Sequence, residues 1–572
     1  MNLKNFHAAL LLIVLSGCQP QSSDPSADVA AADIIFTGDH IITLEPDLPT
    51  VAAVAVAGRE IIATGSLDDV LRHQTDATRV VELGDRALIP GFIDAHGHMT
   101  FVARLIEIIH LASPPVGTVE NIDDVVTLVR QRIDEDAPEP GTWLIGFGYD
   151  DSLLAEGRHP NRDDLDRAST EYPIVVTHVS GHLLAVNSLA LELQGVNAET
   201  EDPSGGVIRR RPGTRVPNGV MEETAMRPFA RNELMQLDEQ KFEDLVRQAI
   251  DIYASYGVTT IQDGGATLAD IAVLRAAAER EAFIADVVAF PWANEFDDAQ
   301  MAAIVPERSY SGGFRIGGVK FGLDGSPQGR TAFLSEPYTE GPPGAAPDYR
   351  AYPTFPAEKF NPRIAEMIER GVPTLVHANG DAAIDMLLDG VAQVAADREL
   401  PDHRTVIIHA QLMRRDQLDK TQALGLVPSY YSAHPFFWGD WHRRSFGEKR
   451  AAYISPAGDT ARLGIPFTIH NDSPIVPPDM MRLLWIAVNR KTRSDFVLGP
   501  EQRLTVLQAL HATTLGAAYQ YFEEERKGSI SPGKQADLVI LGSNPLLADP
   551  DTLKDIPVIE TFARGQSIYR RH

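Results

Sequence analysis

The chain has 572 residues, 44% of them hydrophobic, enough for one large barrel with additions or for more than one domain. Its 79 acidic residues outnumber 51 basic ones, a formal net charge of −28, which argues against nonspecific binding to nucleic-acid phosphates and fits a solvated acidic surface. A single cysteine, Cys18, excludes an intrachain disulfide framework.

The N-terminus reads as a secretory signal over residues 1–17. Met1 to Lys4 carries positive charge, and "AALLLIVL" is an apolar core too short to span a bilayer as a stable helix. "LSGC" then resembles a bacterial lipobox, which implies cleavage before Cys18 and lipidation of that residue. The alternative is an ordinary signal peptide with a chance cysteine. Gln19, rather than Asp, follows the cysteine, which implies a lipid-anchored, periplasm-facing protein of the outer membrane. Residues 18–32, rich in Ser, Pro and Ala, read as a flexible tether. No later segment reads as a membrane span, so the expected membrane contact is the lipid anchor alone.

From residue 33 to 88, short β-branched runs are punctuated by Gly, Pro and Asp. Residues 525–572, with "SISPGKQADLVILGSNP" and "VIETFARGQSIYR", read the same way. The two flanks are expected to form one small β-sandwich built from both chain ends. Between them, over 89–524, strands alternate with helical stretches, which predicts an α/β fold of parallel βα units. Eight core strands are predicted at Phe92–His96, Val258–Asp263, Ile284–Phe290, Ile316–Leu323, Pro373–His377, Thr405–His409, Leu426–Ser429 and Pro466–Asn471. Eight such units are what a TIM (β/α)8 barrel requires. A long insertion, about 101–237, follows the first strand.

The chemistry concentrates at the ends of these strands. "IPGFIDAHGHMT" places His96 and His98 two residues apart, on one face if the segment is extended. Alone, that pair is ambiguous with two exposed loop histidines. "VPTLVHANGD" ends an apolar run on His377, "RTVIIHAQ" on His409, and "IPFTIHNDSP" on His470, Asn471 and Asp472. "IGGVKFGLDGS" buries Lys320 inside a strand, where a charge needs a partner or a metal. Barrel active sites gather at C-terminal strand ends, so these groups are expected to converge on one mouth.

Over roughly 32–570 the chain resembles the amidohydrolase superfamily, and within it the amidohydrolase-3 branch. "PGFIDAHGH" is similar to the family's first-strand motif, "VKFGLDGSPQGRTA" to its lysine-bearing fourth-strand motif, "HANGDAAID" to the fifth, "IIHAQ" to the sixth and "NDSP" to the eighth. The resemblance implies His96, His98, Lys320, His377, His409 and Asp472 as ligands of one or two divalent ions, zinc above all, with Lys320 either carboxylated as a bridge or unmodified and paired with Asp324. It implies that Asp472 is also the general base and then the general acid for attack of activated water.

"VSGHLLAVNSLAL" resembles a family segment that folds over the pocket, which makes His182 and Asn187 candidate substrate contacts. After the seventh strand, Tyr430, His434, Phe436, Phe437 and Trp438 are candidates for an aromatic wall. His470 reads as a supporting residue, and it and Asn471 depart from the family's usual residues. The expected activity is metal-dependent hydrolysis of a non-peptide C–N bond in an amide, N-acyl, N-formyl or cyclic-amide group of a small molecule. The same mechanism on a lactone, carbamate or phosphoester is the alternative, and a lipid-anchored binding protein without turnover is the third reading. A homodimer is expected from base rates alone.

Overall fold

The computed structural model describes residues 30–230 and 238–571. The signal segment, Cys18 and most of the tether lie outside them, as do residues 231–237 at the far end of the insertion.

Strands from both chain ends join in one mixed sheet. Its order is Gln566–Arg570, Val558–Ala563, Leu538–Leu541, Ala87–Pro90, Ile34–Ile42, Thr50–Ala57 and Glu60–Gly65, with Arg79–Glu82 beside Ile34–Ile42. Where a sandwich was expected, hydrogen bonds link all the strands into a single sheet. Its apolar core includes Phe36, Val54, Leu88, Leu538 and Phe562. The rings of Phe36 and Phe562 meet edge to face at 5.2 Å. Leu538–Leu541 pairs antiparallel with Ala87–Pro90, Leu538 opposite Pro90. Phe92 follows at once, so this pairing sets where the barrel begins.

The eight predicted core strands are all present as parallel staves. In one arc, Phe92–Ile93, Val258–Ala266, Asp286–Pro291 and Phe314–Ile316 are neighbours in that order. In the other, Val319–Gly322, Thr374–Ala378, Val406–His409, Val427–Tyr431 and Thr468–His470 follow. The fourth stave is therefore split at Gly317–Gly318, its first half pairing backwards and its second half forwards. A Cβ on Gly318 would lie 1.9 Å from Pro373 O, and one on Gly317 2.4 Å from the Phe290 ring. Only glycine lets the chain jog here and leave Lys320 inside. The two arcs meet where Trp292 bridges Lys320 in parallel. On the other side Asp472 N–H donates to His96 O at 3.0 Å and His98 N–H to Ser473 O at 2.8 Å.

Helices between staves follow the 3.6-residue period. Glu239–Ser255 buries Phe242, Leu245, Val246, Ala249, Ile250 and Tyr253 on one face, and its N-cap Asp238 accepts from Lys241 N–H. The insertion has a sheet of its own, ordered Gly206–Arg210, Pro217–Glu223, Leu183–Val186, Ile174–His178, Leu144–Tyr149 and Ile109–His110. No helix among the described residues is long and apolar enough to cross a membrane.

A buried ionic network ties the C-terminal flank to the barrel. Lys527 Nζ lies 2.5 Å from Asp286 Oδ2 and 2.9 Å from Thr260 Oγ1, and Arg564 donates to Asp286 Oδ1 at 2.7 Å. Burial alone would raise the Asp286 carboxyl, but the Lys527 and Arg564 cations hold it below its ordinary value. Replacing Asp286 by Asn leaves Lys527 buried without its main counter-charge. We expect a loss of about 3–5 kcal/mol in denaturant unfolding at neutral pH. A depressed carboxyl contributes stability above its unfolded value of 3.8 and loses that contribution as pH falls through its folded value. The wild-type and variant stabilities should therefore converge in acid. An equal gap at neutral and acidic pH would show that the ion pair is not its source.

Candidate metal centre

His96 and His98 lie just past the first stave, which ends at Ile93. The chain bends at Ala95–His96, and His98 then forms an antiparallel bridge with Asp263. A Cβ on Gly97 would sit 2.4 Å from Asp94 Oδ2, so glycine lets the Asp94 side chain approach between the two histidines. The two rings are 4.9 Å apart, centroid to centroid. His96 Nε2 is 3.6 Å and His98 Nε2 3.4 Å from Asp472 Oδ1. Lys320 Nζ reaches 2.9 Å from His96 Nε2. On the next staves round, His409 Nε2 lies 3.0 Å from His377 Nδ1. His96, Lys320, His377, His409 and Asp472 are buried, and His98 is partly exposed.

Hydrogen bonds behind the rings decide which nitrogens face inward. Gln262 Nε2 donates to Ala95 O at 2.7 Å, which turns Gln262 Oε1 toward His96 Nδ1 at 2.5 Å. His96 therefore carries its proton on Nδ1 and presents the Nε2 lone pair. His377 Nε2 faces the carbonyl of Gly325 at 3.1 Å, leaving Nδ1 as its lone pair. His409 Nδ1 meets His470 Nε2 at 3.2 Å, and His470 Nδ1 meets Ser429 Oγ at 2.8 Å. His470 thus orients His409, as its reading as a supporting residue anticipated, although it lies close enough to His409 and Asp472 to belong to a possible ligand group.

Charge in this pocket is kept low. Burial pushes the Lys320 ammonium down to about 7, against the pull of Asp472. Burial, and then neighbouring positive groups, hold His96, His377, His409 and His470 well below the ordinary imidazole value. Neutral imidazoles keep their lone pairs available. Asp472 Oδ1 is buried with no hydrogen-bond donor among the described residues. The backbone is strained at two of these residues, with φ of 73° at His409 and 56° at Asp472. The donor set fits a divalent ion. Its contacts of 2.9–3.6 Å bracket the edge of about 3.3 Å in a tetrahedron with bonds of about 2.0–2.1 Å.

Other expectations are redrawn. Lys320 does not pair with Asp324. Asp324 accepts backbone N–H bonds from Phe333, Asn379 and Gly380 at 2.9, 3.0 and 2.8 Å, and lies 3.6 Å from His377 Nε2. Burial still pushes its carboxyl up to about 7. Asn187 is structural. Its Oδ1 accepts from Ile174 N–H and caps a helix at Ala190 N–H, and its Nδ2 donates to Ser169 O and Tyr172 O. No polar capacity is left for a substrate.

The aromatic wall is shifted by one residue. Tyr430 faces outward and bonds Thr460 Oγ1 at 2.6 Å, while Tyr431 stacks on His470 at 5.4 Å. Alternation along the stave allows only one of the two to face in. His434 Nδ1 pairs with His442 Nε2 at 2.7 Å, and Trp438 Nε1 donates to Asp150 Oδ2 at 2.7 Å. Both rings pack against Tyr431, at 5.0 and 6.1 Å, and Trp438 also lines a cavity with Ser473 and Pro474. His182 does approach the centre, its ring 5.0 Å from that of His377. Gln262 was missed, although a glutamine inside the apolar run "VTTIQDGG" is the same kind of signal as Lys320 in its strand.

The model of the amidohydrolase family matches residues 79–569. Among curated proteins, the chain is 28% identical to "Protein LONG AFTER FAR-RED 3" of Arabidopsis thaliana, covering 96% of this chain and 93% of that one. It is 24% identical to "N-substituted formamide deformylase" of Arthrobacter pascens, covering 94% and 98%. Its fold is shared with an uncharacterized metal-dependent hydrolase from Pyrococcus horikoshii, with a TM-score of 0.70 and 21% identity over 90% of this chain and 99% of that one. With the matched segment running from the first flank through the whole barrel to the last strand, the chain belongs to the amidohydrolase family.

Proposed function

We propose that this chain is a metal-dependent hydrolase of a small molecule, cleaving a C–N bond other than a backbone peptide: an amide, N-acyl, N-formyl or cyclic-amide bond. The observation that carries the reading is the set of ring nitrogens of His96, His98, His377 and His409 gathered around Lys320 and an oxygen of Asp472 that has no donor among the described residues. An N-substituted formamide, after which the Arthrobacter pascens relative is named, contains a bond of this class.

One or two zinc ions held by these side chains would supply Lewis acidity and a water of lowered pKa. The chain itself handles the proton. The Asp472 carboxylate accepts it from the attacking water and returns it to the departing nitrogen, so that a C–O bond replaces the C–N bond and an acid and an amine leave. Gln262 and Gly325 O keep His96 and His377 in the tautomers this needs, and His470 orients the His409 ring. The barrel with its long insertion and flanking β domain is the scaffold. Ahead of it we propose a signal peptide, lipidation at Cys18 and a periplasm-facing anchor in the outer membrane.

A side-by-side panel of N-acyl and cyclic amides, lactones, carbamates and phosphoesters, run with metal analysis, tests the reading. Divalent metal in the purified protein and turnover confined to amides are expected. His96→Asn should lose bound metal and activity together. Asp472→Asn should lower kcat by about 10²–10⁴-fold. A metal-free wild type, or His96→Asn with undiminished hydrolysis, would sink the proposal. For the anchor, Cys18→Ser should move the protein from the membrane to the soluble fraction, and continued membrane association would count against lipidation.

A further inference from the structure

The insertion brings a pair of side chains to the centre that the chemistry above leaves unused. His182 lies in the turn between Ile174–His178 and Leu183–Val186, and Glu223 ends Pro217–Glu223. The two are joined twice. Glu223 N–H donates to His182 O at 3.0 Å, and His182 Nδ1 lies 2.9 Å from Glu223 Oε2. An ionised carboxylate only accepts, so Nδ1 carries the hydrogen and Nε2 is the nitrogen turned away from Glu223. The His182 ring lies 5.0 Å from that of His377, and the carboxylates of Asp324 and Asp472 are near enough to act on it.

Glu223 bears the marks of a residue held for orientation. Its side chain is 6% exposed. Its backbone is strained, with φ of 49° and ψ of −122°, a conformation that costs on the order of 1–3 kcal/mol outside glycine. Its second oxygen, Oε1, is buried without a hydrogen-bond partner among the described residues. Gly325 makes room for that oxygen, since a Cβ there would come within 2.1 Å of it. The carbonyl of the same Gly325 faces His377 Nε2. A strained backbone and an unpaired buried carboxylate oxygen are costs that sheet stability alone does not require.

We propose that His182 is a catalytic residue delivered by the insertion, touching a polar atom of the substrate beside the scissile bond through Nε2, and that Glu223 is its positioning residue. The assignment rests on the hydrolase reading above. It places one end of the substrate on the His377 side of the centre, under the insertion.

The test compares wild type with Glu223→Ala, Glu223→Gln and His182→Asn. Metal content, kcat and KM on the best substrate of the panel are measured for each. The imidazole N–H proton spectrum is recorded on the metal-free proteins. Wild type should show a downfield N–H resonance that is lost in Glu223→Ala and in His182→Asn. Metal content should stay at the wild-type level in all three variants. Glu223→Ala should lower kcat by roughly 10–100-fold, with a smaller change in KM. Glu223→Gln, which keeps an acceptor for Nδ1–H, should recover part of that loss. Wild-type kcat in either Glu223→Ala or His182→Asn overturns the proposal, as does a fall in kcat that merely follows lost metal. If wild type turns over nothing in the panel, the hydrolase reading fails, while the resonance still reports whether the pair exists. Its absence from the wild-type spectrum would dismiss the pair itself.

Discussion

A buried carboxylate oxygen, Asp472 Oδ1, faces imidazole nitrogens at the barrel mouth with no hydrogen-bond donor among the described residues. Leaving a charged oxygen in that state is costly unless a cation shares it. The surrounding structure fixes the backbone that carries the oxygen. The Asp472 N–H donates to His96 O and so closes the first stave against the eighth. Its φ of 56° is held by that same seam. The bond that closes the barrel therefore also fixes the Cα from which the carboxylate projects toward His96 and His98.

The same economy extends one layer outward. Gln262, which fixes the His96 tautomer, also donates to Tyr521 Oη at 2.6 Å, and Tyr521 donates onward to Asp94 O at 2.7 Å. Gln520 adds a bond to Ala95 O at 2.7 Å. Tyr521 and Gln520 lie six and seven residues before Lys527, which anchors in Asp286 and Thr260. The segment returning to the flanking sheet therefore braces the first-strand motif from beneath before it enters the sheet. Such buried polar networks are stiff only when every member is satisfied, which explains why the flank and the barrel share so many of them.

Much of this was legible in the sequence because a parallel barrel has a simple grammar. Each stave is an apolar run, and five staves carry His, Lys or Asp, four of them at or just past the C-terminal end and Lys320 inside its strand. What escaped depended on parity or on contacts across the chain. Tyr430 and Tyr431 are adjacent, and a shift of one residue reverses which faces the centre. His96 and His98 lie beyond the end of the first stave at Ile93, yet their rings come within 4.9 Å of each other, as their spacing of two residues suggested. Asn187 sits in a family-like segment, yet its amide is saturated by backbone groups that only the folded insertion brings together. Glu223 carries no local signal, because its partner is 41 residues away.

The division of labour that results is physical. The barrel staves are rigid, mutually hydrogen-bonded and buried, so the lone pairs they carry can be held to a fraction of an ångström. The insertion has its own sheet and core, and it packs on the barrel through Val102, Leu105, Phe147 and Val179 as well as through polar contacts such as the Trp438 Nε1 bond to Asp150 Oδ2. Beside it lies an apolar cavity of about 230 Å³, lined by Val102, Phe147, Val179, Phe437, Trp438 and Pro474, some from the insertion and some from segments following staves. The insertion therefore contributes one wall of this cavity, while the backbone bonds of the seam, Asp472 N–H to His96 O and His98 N–H to Ser473 O, run between the segments that follow the first and eighth staves.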